Sequence, residues 1–317
     1  MKDFKGKIAV ITGAGTGMGR ELARQLVSEG CHVAICDVLM DNLAETKKLC
    51  QEIALPDTRI TIHECDVSKE EQVIAFQAAV EKEHQAQHIN LLFNNAGVGG
   101  GGSFLLDGRE NWDRTFNISW GGVYYCCRAF MDMLVASDEG HIINTSSING
   151  FWACLGPTMP HTAYSAAKFA IKGFTEALLV DLRLNAPHVK ASVVMPGHIG
   201  TDIGTNSSRI HGIPKAEEMS DEQLLLLRDR AKKYGNLEED ISVEEFREMM
   251  KQRRNDFRDN APVSAAQAAT VMLDAVRNEE WRVLVGEDAK MLDQMVRGNP
   301  EGAYTPGFFN LLPDEDK

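Results

Sequence analysis

The sequence predicts a doubly wound α/β fold: one open parallel sheet covered by helices on both faces, in three α/β/α layers. Three observations carry this expectation. Short β-branched apolar runs alternate with helical patterns along most of the chain. The first run ends in a glycine cluster that opens a helix. Polar or small residues directly follow one strand after another, at 13–19, 37, 66, 95, 147 and 196–201, where an open parallel sheet gathers its ligand.

The first strand is read over residues 7–12 (Lys-Ile-Ala-Val-Ile-Thr). Gly13-Ala14-Gly15-Thr16-Gly17-Met18-Gly19 follows, then a helix with Leu22, Leu26 and Val27 apolar. Strand, glycine turn and helix open a dinucleotide-binding βαβ unit: glycines let the backbone approach a pyrophosphate, and the helix N-terminus offers free N–H groups. The second strand, 32–36, ends in Asp37, 24 residues after Gly13, placed for a carboxylate to accept from ribose hydroxyls. A 2′-phosphate would meet that negative charge with Val38 offering no cation, so NAD is expected over NADP; Arg20 is the one nearby residue that could soften the preference.

A helix over 41–53 leads to a third strand, 59–65, ending in Asp66-Val67, and Ser68 is placed as the N-cap of a helix reaching 83. The fourth strand, 89–93, ends in Asn94-Asn95-Ala96-Gly97. The five glycines within 97–103 imply an open, mobile backbone. A long helix over 111–135 carries Asn117 among Trp112, Phe116, Ile118 and Trp120. The strand 141–145 ends in Ser146-Ser147-Ile148-Asn149-Gly150. A loop over 151–160 precedes a helix over 162–184, and the strand 189–195 ends in Pro196-Gly197-His198-Ile199-Gly200-Thr201.

From 202 to 260 the pattern turns charged and helical, with helices over 221–233 and 243–257, an excursion read as a helical substrate lid or interface insertion. Ser264 N-caps a helix to 277; a strand over 281–285 and a helix over 290–297 follow, then a Pro/Gly tail over 298–317. The whole chain, 1–317, is expected to form a single domain.

Composition narrows the function. With 317 residues, 44% hydrophobic, the chain can bury a sizeable core, and its formal net charge of −13 argues against nucleic acid or an anionic membrane as partner. The first apolar run, 8–11, is too short for a signal peptide, and no window approaches the roughly 18 residues of a membrane span. Seven cysteines show neither a C-x-x-C pair nor metal-ligand spacing with histidine, so reduced core thiols, no metal and a soluble cytoplasmic protein are expected.

Tyr164 and Lys168 lie four residues apart on the 162–184 helix and so share a face. A phenol titrates near 10 and is a poor acid or base at neutral pH; an ammonium held close favours the phenolate and lowers that value. Such a pair can serve as a tunable proton donor and acceptor.

These features together resemble the short-chain dehydrogenase/reductase family, in its common cofactor-first branch with a Rossmann-type sheet. The resemblance runs from residue 7 to about 201, plus the 264–285 helix and strand. It includes T-G-x-x-x-G-x-G at 12–19, Asp37, Asp66-Val67, N-N-A-G at 94–97, Asn117, Ser147, Tyr164/Lys168 and P-G-x-x-x-T at 196–201. It implies that Tyr164 exchanges a proton with the substrate oxygen while a hydride passes between substrate carbon and nicotinamide. Lys168 would lower the Tyr164 pKa and bind the nicotinamide ribose, Ser147 would orient the carbonyl or hydroxyl, and Asn117 would kink its helix and hold a water between Lys168 and solvent. Ser147 is preferred to Ser146 because two residues and a glycine follow it. Gly13, Gly17 and Gly19, with Met18 among them, would hold the pyrophosphate. Asp66 and Val67 would meet the adenine, Asn95 the ribose region, and Ile199 and Thr201 the carboxamide.

Two departures leave the substrate open: a long 148–163 loop with Phe151, Trp152, Leu155 and Met159, and the enlarged segment after Thr201. Phe104, Phe151, Trp152 and Leu155 suggest a hydrophobic or bulky alcohol or ketone; equally, some of these side chains pack a lid or subunit interface. The expected activity is that of an NAD-dependent secondary-alcohol dehydrogenase or ketone reductase, acting on CH–OH groups. A 3-oxoacyl-thioester reductase would need basic residues to dock an acyl carrier, which the acidic balance and Asp37 oppose. An idle NAD-binding regulator using 202–260 as an interface would be free to lose Tyr164 or Lys168. The helices over 111–135 and 162–184 resemble those that pair subunits in the family, so a homo-oligomer, dimer or tetramer, is expected.

Overall fold

Residues 8–12 are buried along their whole length, as a strand at the centre of a parallel sheet requires. In the computed structural model, which describes residues 1–235, 237 and 240–311, this strand leads an alternating chain. β1 (Ile8–Thr12) passes through α1 (Gly17–Ser28) to β2 (His32–Asp37), then α2 (Met40–Gln51), β3 (Ile60–Glu64), α3 (Glu70–His84) and β4 (Leu91–Asn94). Next come α4 (Arg109–Phe116), α5 (Gly122–Val135), β5 (Gly140–Thr145), α6 (Thr162–Asn185) and β6 (Val189–Pro196). Beyond β6 lie β7 (Ile199–Gly200), α7 (Ile203–His211), α8 (Asp221–Lys233), α9 (Val243–Asp259) and β8 (Val263–Ser264). Then follow α10 (Ala265–Asn278), β9 (Arg282–Val285), α11 (Glu287–Gly298) and α12 (Pro306–Phe309).

The main sheet has seven parallel strands in the order β3-β2-β1-β4-β5-β6-β9; β7 and β8 pair separately, Ile199 opposite Val263. The chain winds outward from β1 to β3 and then returns to place β4 on the other side of β1. That reversal opens a crevice beyond the carboxyl ends of β1 and β4, the place where such sheets bind ligands.

Alternate strand residues face opposite layers. Ala9, Ile11, Val33 and Ile35 pack with Leu22 and Leu26 of α1 and Met272 and Leu273 of α10. Val10, Ala34 and Leu92 pack on the other face with Val73, Phe76, Phe130 and Ile171 from α3, α5 and α6. The fold is the three-layer Rossmann-type α/β domain that the alternation predicts, in a single domain.

Where local detail departs from expectation, a competing interaction explains it. Ser68 is not an N-cap: its hydroxyl donates to Asp66 Oδ1 at 2.6 Å, and α3 begins two residues later, after Lys69. Ser264 does cap α10, in a box with Gln267. The helix expected over 111–135 is interrupted by a π-turn at Asn117–Gly121, where Gly122 N–H reaches the carbonyl of Asn117 as well as that of Ile118. Gly122 is needed there because a Cβ would stand 2.6 Å from Val67 Cγ2.

Within 202–260, α8 and α9 carry a small core of their own around Met219, Leu224 and Phe246, and α7 is a helix that the sequence pattern does not reveal. Three residues of this segment, 236, 238 and 239, lie outside the described residues, as do 312–317 of the expected tail. The rest of that tail folds back as α12 and packs Phe308 against Trp152. Among the described residues no helix is long and apolar enough to cross a membrane.

Candidate active site

The turn after β1 can lie so close to its neighbours only because it is glycine. Gly13 takes φ +63°, and a Cβ there would sit 2.7 Å from Ala96 Cα. At Gly19 a Cβ would sit 2.3 Å from the Gly13 carbonyl oxygen, so this glycine lets α1 pack onto the turn. Asn95 braces the turn from beneath, donating Nδ2 to the carbonyls of Thr12 and Gly13, both at 3.2 Å. Thr12 Oγ1 accepts from the backbone N–H groups of Asn95 and Ala96. The turn is thus fixed by β1 and β4 together.

A cleft of about 660 Å³ opens beyond these strand ends, within the range of small-molecule and cofactor sites. Gly13, Gly17, Met18, Asp37, Asp66, Val67, Asn95, Asn117 and Thr201 line it. Gly19 lies behind the turn. Ile199 is buried in the core, 5% exposed, and is not among the residues that line the cleft.

Asp37 Oδ2 accepts from Gly15 N–H and Oδ1 from Leu39 N–H, both at 2.9 Å. The Arg20 guanidinium donates to the carbonyls of Gly15 and Asn42 and to Thr46 Oγ1, so its hydrogen bonds go to neutral groups rather than to the Asp37 carboxylate. The glycine cradle, the acidic strand end and the volume fit a dinucleotide.

Ser147, Tyr164 and Lys168 stand beside this cleft rather than in its lining. The link is Gly97, which lines the cleft and whose would-be Cβ lies 3.4 Å from Lys168 Nζ. The two serines have different work. Ser146 Oγ donates to the Lys168 carbonyl at 2.8 Å and so holds α6 to β5. Ser147 Oγ accepts from Asn149 N–H at 3.2 Å and hydrogen-bonds with Tyr164.

Burial pushes the Tyr164 phenol up to about 12, against the opposing pull of the Ser147 hydrogen bond. Burial also brings the Lys168 ammonium down to about 7. Lys168 Nζ donates to the Thr145 carbonyl at 2.8 Å and lies 5.2 Å from the centroid of the Tyr164 ring. Burial is thus the largest influence on both groups, and on Tyr164 it acts against the lowering expected from Lys168. His161, one turn earlier, stacks on Tyr164 with ring centroids 4.6 Å apart, and burial lowers its pKa to about 4.

Residues 7–210 match the family model for short chain dehydrogenases. The chain belongs to the short-chain dehydrogenase/reductase family. It is similar to SadH, a Mycobacterium tuberculosis protein named as an oxidoreductase, with 32% identity covering 94% of this chain and 92% of SadH. A short-chain dehydrogenase/reductase from Burkholderia phymatum, solved in complex with NAD, superposes with a TM-score of 0.75 at 26% identity, covering 96% of this chain and 98% of that one. A metagenomic short-chain oxidoreductase in complex with NADP gives a TM-score of 0.54 at 31% identity, covering 61% of this chain and 83% of that one. The similar structures thus include both nicotinamide cofactors.

In this member of the family the glycine-rich stretch expected to be mobile is tied down. Gly99 N–H donates to Ser207 Oγ at 2.8 Å, and His211 Nε2 bonds the Gly99 carbonyl at 2.9 Å. The carbonyls of Gly102 and Gly101 accept from Thr162 and Ala163 N–H at the start of α6. Glycine is required there by close approach, since a Cβ at Gly101 would lie 2.6 Å from Ala163 Cβ.

On its other flank α7 reaches the glycine turn, where Asn206 Nδ2 donates to Thr16 Oγ1 at 2.9 Å. Asn206, Ile203, Arg209 and Ile210 of α7 and Arg114 of α4 all line the cleft and carry no recognisable signal in the sequence. The four residues expected to meet a hydrophobic substrate divide. Trp152 is buried under α12, Phe151 is half-buried in the same cluster, and Phe104 and Leu155 are exposed.

Proposed function

We propose that this short-chain dehydrogenase is an NAD(H)-dependent enzyme that interconverts a secondary alcohol and a ketone, with a bulky or hydrophobic substrate. The observation that carries this reading is the meeting of Ser147, Tyr164 and Lys168 beside a dinucleotide-sized cleft bordered by Asp37. The bound nicotinamide supplies or takes up the hydride.

The chain's own groups handle the oxygen and its proton. Tyr164, protonated because its phenol is buried, donates its proton to a ketone oxygen and takes it back from an alcohol. The Ser147 hydroxyl donates to the same oxygen and fixes its direction. Lys168, titrating near neutral pH, exchanges a proton with the phenol, and its charged form favours the phenolate as that proton leaves. Asn117, in the π-turn and facing the cleft, lies on the route by which water reaches Lys168.

Asp37 favours NAD: its carboxylate would repel a 2′-phosphate, and Arg20 is engaged with carbonyls. Thr201 borders the cleft beside Gly17, in place for the carboxamide end of the cofactor. The segment 202–260 acts as the lid, with α7 bonded to the glycine turn on one flank and to Gly99 on the other. All seven cysteines are free, which suits the reducing cytoplasm. A screen of secondary alcohols and ketones with both cofactors tests the reading. Turnover linked to NAD is the expected result, and turnover with neither cofactor would overturn it.

A further inference from the structure

Trp152 lies in the loop between Ser147 and Tyr164 and is only 4% exposed, in a cluster with Ile148, Phe151 and Cys154 of the same stretch. The rest of its cover comes from the end of the chain. Trp152 Nε1 donates to the Ala303 carbonyl at 2.8 Å, and its ring meets Phe308 and Phe309 at centroid distances of 5.9 and 5.8 Å. The adjacent Ala153 N–H donates to the Tyr304 hydroxyl at 3.0 Å. Residues 299–309 are fixed in turn. Asn299 closes a turn onto Gly302 N–H, and Leu292, Met295 and Val296 of α11 join the same apolar cluster. α11 is itself held by Asp293, which pairs with Arg282 of β9 and with Arg297.

These contacts pass into the active site by short steps. Asn149 Nδ2 donates to the carbonyls of Trp152 and Cys154 at 3.0 and 2.8 Å, while its backbone N–H donates to Ser147 Oγ. Cys154 bridges to Pro160, closing the tip 155–159. Pro160 in turn lies against Gly102, beside the start of α6. Ser147 is held by the turn that follows it, whereas Trp152 and Ala153, tied locally to Ile148 and Asn149 through the Trp152 backbone, take their remaining support from the chain end.

We propose that residues 299–309 are a specificity element of the active site: through Trp152 and Tyr304 they hold the 151–160 loop as one wall of the substrate chamber. The inference rests on the reading of the protein as an alcohol dehydrogenase. Loosening this strap moves the wall more than it moves Ser147, so it changes which substrates fit more than it changes the chemistry. A bulky substrate, which needs the wall in place, loses most. A small one loses little.

Tyr304→Phe removes a single hydroxyl from a half-exposed ring, and Trp152→Phe keeps an aromatic filling while removing the N–H. Each variant is compared with wild type by hydrogen exchange over 148–160 and by turnover of 1-phenyl-1-propanol and 2-propanol with NAD. One lost hydrogen bond, worth about 1 kcal/mol, should speed exchange in that loop by about 5-fold. The KM for 1-phenyl-1-propanol should rise by a similar factor, with kcat, the KM for NAD and the KM for 2-propanol little changed. Unchanged exchange in both variants overturns the strap. Faster exchange with an unchanged ratio of the two alcohols overturns the specificity role. Absence of wild-type turnover across the whole screen of secondary alcohols and ketones with both cofactors overturns the dehydrogenase reading instead.

Discussion

Lys168 donates its Nζ to the Thr145 carbonyl at 2.8 Å and stands over the Tyr164 ring, 5.2 Å from its centroid. Burial is the main influence on both groups, moving Tyr164 up to about 12 and Lys168 down to about 7. At neutral pH the pair holds a protonated phenol next to an amine that is itself near its midpoint. That arrangement suits a donor with a nearby group able to exchange protons with solvent.

The Lys168 shift has a sign that stability measurements can read. Its folded pKa, about 7, lies below the ordinary 10.5, so between those values the unfolded chain binds more protons than the folded one. Stability from this group is full above the unfolded value and is lost as pH falls toward 7. The melting temperature of wild type relative to Lys168→Met should therefore rise between pH 7 and 9. The difference isolates the lysine, because buried thiols such as Cys127, pushed up to about 12, act in the opposite direction above pH 9. A pH-independent difference would contradict it.

Acid should destabilise the fold through its buried histidines. Burial lowers His84 and His161 to about 4 and His141 to about 3. Each folded value lies below the ordinary one near 6.5, so stability falls as pH drops through 6.5 toward 4. The urea midpoint should decline over that range, and more gently in His161→Phe, which retains an aromatic ring against Tyr164. An equally steep decline in both proteins would show that His161 is not among the groups responsible.

Asp37→Ser should relax cofactor choice. If Asp37 borders the adenosine ribose as proposed, removing its carboxylate eliminates a repulsion toward a 2′-phosphate of about 1.4 kcal/mol, which is tenfold in affinity. Fluorescence titration should show the NADPH-to-NADH ratio of dissociation constants fall by about tenfold. Equal binding of the two cofactors by wild type would remove the basis for the preference.

Tyr124 and Val135 on α5, and Phe169, Val180 and Leu184 on α6, are exposed apolar side chains on the two helices expected to pair subunits. Their burial between copies is the simplest way to remove them from water. Light scattering should give the mass of a dimer or tetramer, and a monomer would exclude that arrangement.

Much of the fold is legible in the sequence because its signals are local. The buried apolar runs mark β1, β2, β4, β5 and β6, and the Ser264 capping box marks the start of α10. The residues brought to the cleft are legible for the same reason: Gly13 and Asn95 directly follow β1 and β4, Asp37 ends β2, and Asp66 lies two residues beyond β3. What stayed hidden depends on contacts between distant segments. Ser68 looks like a cap until Asp66 takes its hydroxyl. The glycines at 99–102 look flexible until α6 and α7 are seen to bind their backbone. Trp152 looks like a substrate contact until Ala303 and Phe308, about 150 residues later, are found on it. The direction of the Tyr164 and Lys168 shifts is likewise a matter of burial, which spacing alone does not convey.

The most direct test of the central claim is Tyr164→Phe, which deletes the phenolic oxygen and keeps the ring that stacks on His161. A positioned proton donor contributes about 10²–10⁴-fold, so NAD-linked turnover of the best secondary alcohol from the screen should fall by that amount. Melting temperature and NADH binding should match wild type, separating lost chemistry from lost structure. Turnover by Tyr164→Phe equal to that of wild type would contradict the assignment of the proton to Tyr164, and with it the mechanism.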